Sequence, residues 1–91
     1  MNTFPTPRHR GYARPSSETS ARVRSFLARW GEHVAGVVFG VDGHTVIRCG
    51  SGVTMQGLAL RAIEQGLSMP EDRLEAAARA FEEARTRRAA P

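Results

Sequence analysis

The sequence predicts a small α+β domain, a β-hairpin packed on three helices, and three observations carry that expectation. An apolar stripe recurs at helical spacing before Gly31, an Asp-Gly pair sits between two β-branched runs, and helical stretches flank Gly66-Leu67-Ser68. The predicted order is arm-α-β-β-α-α. A chain of 91 residues allows one domain and hides a limited share of its surface, so help from a partner is expected.

Residues 1–16 read as an arm, because Pro5, Pro7 and Pro15 fix φ and remove backbone donors. The domain proper is expected over 17–88, with 89–91 as a tail. The first helix is placed at 17–31: Val23, Phe26, Leu27 and Trp30 form one stripe, with Arg22, Ser25, Arg29 and Glu32 opposite. Ser16 or Ser17 caps its start, Glu18 suits its first turn and Gly31 ends it.

Residues 34–49 read as a hairpin turning at Asp42-Gly43, a pair suited to the positive φ angles of a type I′ turn. That register puts Val37, Phe39, Val41, His44, Val46 and Arg48 on one face. Val38, Gly40, Thr45, Ile47 and Cys49 take the other. Both faces are apolar, and two isolated strands are marginal in water. A second molecule is therefore expected to cover the ribbon at Val37, Phe39, Val41 and Val46, and a homodimer is the simplest form.

The second helix is expected over 54–65, largely buried through Met55, Leu58, Ala59, Leu60, Ala62 and Ile63. Gly66 suits a left-handed cap, and Ser68 with Glu71 fits a capping box around Pro70. A third helix over 69–88 presents Leu74, Ala77, Ala78 and Phe81 inward, with Glu75–Arg79 and Glu83–Arg87 as supporting ion pairs. The expected core is Val23, Phe26, Leu27, Trp30, Phe39, Ile47, Leu58, Ile63, Leu74 and Phe81.

Every basic residue is Arg and none is Lys, as GC-rich bacterial or phage coding produces. Residues 1–29 hold six Arg against Glu18, for +5; residues 30–84 carry −4; residues 85–91 add +3. An acidic body thus lies between basic ends. Arg8, Arg10, Tyr12 and Arg14 interleave charge with an aromatic, and Arg85, Arg87 and Arg88 both complement a helix dipole and offer charge to phosphates. The expected function is a non-catalytic regulator acting with nucleic acid or a nucleoprotein through these termini. The alternative is a protein-directed adaptor or inhibitor encoded by a phage or mobile element.

Catalysis ranks third. Cys49 and His44 are five residues apart, so their side chains leave opposite faces of a strand and form no dyad. His9, His33 and His44 lack ligand spacing, and a lone cysteine makes neither an internal disulfide nor a cysteine-based zinc site, so no metal or cofactor is expected. Gly50-Ser51-Gly52 lacks the Gly-Lys-Ser/Thr that a phosphate loop requires. No apolar run approaches the ~18 residues of a membrane span, and no signal-peptide pattern opens the chain, so cytoplasm is the expected location.

Two partial resemblances touch residues 60–75. Ala62 with Gly66-Leu67-Ser68 resembles the turn of helix-turn-helix DNA-binding domains, which would make the following helix the reading element. Asp72, Arg73 and Glu75 depart from the apolar positions such a helix needs, and Glu71, Asp72 and Glu75 would repel a polyanion. The α-β-β order with Leu60-Arg-Ala-Ile-Glu-Gln-Gly-Leu-Ser68 resembles the small HicA-type mRNA toxins, which would make His44 a ribonuclease residue. That match slips by one residue, and the histidine context differs.

Overall fold

Gly40 decides the architecture. Its φ of 74° is left-handed, its amide donates to the Val37 carbonyl (3.3 Å), and the Val41 amide donates to the Gly36 carbonyl (3.0 Å). That pair of bonds is a Schellman motif, the end of a helix rather than the middle of a strand. The computed structural model describes residues 11–89. Within it β1 (Tyr12–Ala13) is followed by α1 (Ser17–Phe39), α2 (Gly43–Ser51), β2 (Met55–Gln56), α3 (Gly57–Leu67) and α4 (Glu71–Ala89). Helices dominate, and the fold is α+β only in the coarse sense that a two-stranded antiparallel pair accompanies them.

The hairpin expected over 34–49 is corrected: that stretch is the second half of α1, a turn, and α2. Buried Val34, Ala35 and Phe39 with half-buried Val38 share one helical face. Val46, Cys49 and Gly50 repeat the pattern on α2. Valine-rich composition favours strands only weakly, and burial on a helical face overrides it. Asp42-Gly43, read as a hairpin turn, is the start of α2, with Asp42 extended as its cap residue. Gly31 does interrupt α1 (φ 89°), but the chain resumes its helix and runs to Phe39.

α1 and α2 run antiparallel at close range. A Cβ on Gly36 would stand 2.8 Å from the Val41 carbonyl oxygen and 3.0 Å from the Gly43 amide nitrogen. Two hydrogen bonds hold the other end: the buried Ser20 hydroxyl donates to the Cys49 carbonyl at 2.8 Å. Arg24 Nη1 donates to the Gly50 carbonyl at 2.8 Å. These groups satisfy carbonyls that the end of α2 leaves open.

α3 buries Leu60, Ile63 and Leu67 on one side. It is one-sided rather than central, and Leu58, expected in the core, is 80% exposed. Gly66 stays inside the helix with no positive φ. Its role is space, since a Cβ there would overlap the Phe39 ring. The Ser68 hydroxyl donates back to the Gln65 carbonyl (2.6 Å), so the expected capping box does not form. The left-handed cap expected at Gly66 is therefore absent from this turn.

α4 lies on α1 through Leu74 and Ala78, its buried residues. Glu75 accepts from both Arg29 and Arg79 at 2.7 Å, and both guanidinium groups lie over Trp30, 5.0 and 6.0 Å from the ring centroid. The Glu75–Arg79 pair is as expected; in place of Glu83–Arg87 the contact is Arg85–Glu82 at 3.5 Å. Ile47 and Phe81, also expected in the core, are exposed, whereas Val23, Phe26, Phe39, Ile63 and Leu74 are buried.

β1 joins what was read as arm to the body. Tyr12 pairs with Gln56 and Ala13 with Met55, Pro15 is buried, and Ser16 caps α1 by accepting from the Thr19 amide at 3.1 Å. Among the described residues, no helix is long and apolar enough to cross a membrane.

Candidate nucleic-acid interface

Where the arginines are used separates scaffold from surface. Arg22 Nη2 donates to the Leu67 carbonyl at 2.9 Å, closing the end of α3. Arg24 does the same for α2, and Arg29 and Arg79 are tied to Glu75. Two arginines of the basic first third, Arg22 and Arg24, therefore hold helix ends, and a third, Arg29, ties α1 to α4. Among the described residues, the guanidinium groups of Arg14, Arg61, Arg73, Arg87 and Arg88 have no such partner.

The far half of α4 carries the C-terminal cluster. Beyond Ala78 every residue to Arg88 is exposed except Glu82, which is half-buried. Arg85, Arg87 and Arg88 are thus exposed on a helix end that the body does not cover, and Arg87 and Arg88, in its last turn, offset the negative end of its dipole. At the other terminus Tyr12 and Arg14 are exposed. Arg8 and Arg10 lie outside the described residues.

The four residues expected to face a partner are dispersed. Phe39 and Val46 are buried in the core, Val37 is exposed and Val41 half-buried. The apolar content of 34–49 is largely covered by the chain's own helices, which removes the reason given for an external cover.

No family model, curated protein or solved structure matches the chain.

Cys49 is fully buried and His44 is exposed at the start of α2, so the two do not form a dyad. Burial raises the Cys49 pKa, and the Glu64 carboxylate adds to the rise. The neutral thiol is favoured in the folded state. Stability from this group is full below the unfolded thiol pKa, about 8.5, and is lost as pH climbs above it. Urea denaturation is expected to show that alkaline loss, with Cys49→Ala flattening it. A thiol reagent at neutral pH is expected to label Cys49 only as the protein unfolds.

Sequence reasoning missed two features. One is a groove of about 340 Å³ between α1 and α4, floored by Phe26, Trp30, Leu67 and Leu74. The other is a smaller depression beside β1, which contains Tyr12, Arg48 and Gln56. Both join residues more than 35 positions apart, and no local pattern signals them. Among the described residues, no three His, Cys, Asp or Glu side chains gather to hold a metal.

Proposed function

We propose that this chain is a non-catalytic binding protein that acts with nucleic acid or a nucleoprotein through its arginine-bearing termini. The observation that supports the reading is the far half of α4, where Arg85, Arg87 and Arg88 are all exposed within one turn of helix. Arg87 and Arg88 have no acidic partner among the described residues. Arginine forks suit phosphate oxygens, and contacts of this kind position a polyanion without reading its sequence. Glu82 and Glu83 one turn earlier confine the positive surface to the helix end.

The triple substitution Arg85→Gln, Arg87→Gln and Arg88→Gln keeps helix propensity while removing charge. Fluorescence anisotropy with labelled oligonucleotides is expected to show weaker binding regardless of sequence. The plot of log affinity against log salt becomes shallower by about 0.7 per lost contact on a single strand and about 0.9 on a duplex. Unchanged affinity and slope would overturn this assignment of the contact surface.

The alternative, a protein-directed adaptor or inhibitor, has the groove around Trp30 in its favour. Tryptophan and arginine are favoured anchors at protein interfaces, but Arg22, Arg29 and Arg79 are already engaged within the chain. Trp30→Ala is the variant that separates the readings: the nucleic-acid function leaves oligonucleotide affinity unchanged by it.

A further inference from the structure

β1 pairs antiparallel with β2, Tyr12 opposite Gln56 and Ala13 opposite Met55. Facing residues in such a pair share one side of the ribbon. Met55 is 3% exposed, so its side is the core; Tyr12, at 52%, stands on the outer side with Gln56 alongside. The pairing itself asks for no aromatic there, and a half-exposed ring adds little to the core.

Next to this ring lies a depression of about 150 Å³, lined by Tyr12, Thr45, Arg48, Thr54 and Gln56 above the buried Met55. Arg48 Nη2 donates to the Thr54 carbonyl at 3.2 Å. One bond therefore holds the guanidinium at the rim while its other N–H groups are uncommitted among the described residues. Arg14, two residues beyond Tyr12, is exposed and unpaired among the described residues. Sites that enclose a whole small molecule span about 300–1,000 Å³. This volume suits one ring of a larger ligand that continues along the surface.

We propose that the depression receives one unpaired nucleobase of a single-stranded nucleic acid. Tyr12 is the stacking platform, Gln56, Thr45 and Thr54 supply hydrogen-bonding groups at the base edge, and Arg48 and Arg14 meet the flanking phosphates. The inference rests on the nucleic-acid reading above and narrows it to single strands, since a base inside a duplex has no free face to offer.

The test measures anisotropy with short mixed-sequence oligonucleotides, RNA and DNA, single-stranded and duplexed. Single strands are expected to bind more tightly than duplexes, and the RNA and DNA arms tell the two sources apart. Tyr12→Leu lowers single-strand affinity about 5- to 150-fold, the range of a lost base–aromatic stack, and leaves duplex binding unchanged. Tyr12→Phe retains affinity, which together with the unchanged duplex binding guards against a variant that fails merely by unfolding, and Arg48→Gln weakens single-strand affinity. Equal binding of single strands and duplexes with no response to Tyr12→Leu overturns this site alone. Absence of binding by every oligonucleotide at low salt overturns the site together with the reading beneath it.

Discussion

Replacing Phe39 with alanine is expected to lower stability by about 3–5 kcal/mol, the usual cost of truncating a core phenylalanine. The ring is 4% exposed, its centroid is 5.0 Å from that of Phe26, and it fills the space that Gly66 leaves on α3. Both segments of α1 on either side of Gly31 and the face of α3 therefore meet at this side chain, and neither helix relaxes easily into the void. Small domains hold roughly 5–15 kcal/mol in all, so urea denaturation of Phe39→Ala is expected to show a steep fall in midpoint or a chain already unfolded. A midpoint close to that of the unsubstituted protein would contradict the burial of Phe39 between α1 and α3.

Gly36→Ala is the second large effect, and its sign is diagnostic. In a free helix the change would gain about 1 kcal/mol, and in a strand the removal of glycine would also help. Here the new Cβ meets the Val41 carbonyl oxygen at 2.8 Å and the Gly43 nitrogen at 3.0 Å. Those atoms are backbone, and no rotamer moves them aside. Overpacking costs about 1–3 kcal/mol, and a Cβ closer to backbone atoms than van der Waals contact allows belongs at the upper end of that range, so a net loss of up to about 2 kcal/mol is expected in the same denaturation experiment. A stabilised variant would contradict the close approach of α1 to α2.

Helical period was legible where one face alone is buried. Val23, Phe26 and Trp30 announced the first part of α1, and Leu74 and Ala78 announced α4. The reading failed at 34–49, where β-branched residues and Asp-Gly mimic a hairpin. The decisive signal there was Gly40 followed by apolar Val41, a helix ending that looks like a strand interior when only composition is weighed. Gly66 misled in the reverse direction: its glycine identity answers to the Phe39 ring, a contact across 27 positions, and not to a local turn.

The candidate surface was legible as charge and illegible as geometry. Arg85, Arg87 and Arg88 were singled out from the sequence as candidate phosphate contacts, and their placement on an uncovered helix end came from the fold. Arg22 and Arg24 carried the same charge in the sequence, yet they close the ends of α3 and α2. Tyr12 was named from the sequence with its neighbouring arginines, and its place opposite Gln56 came from the fold.

The sharpest trial of the phosphate-contact account is a salt titration of the unsubstituted protein on a labelled single strand. A straight decline of log affinity with log salt is anticipated, its slope counting the phosphates neutralised. Affinity that stays level across the titration, or none even in the most dilute buffer, would contradict it.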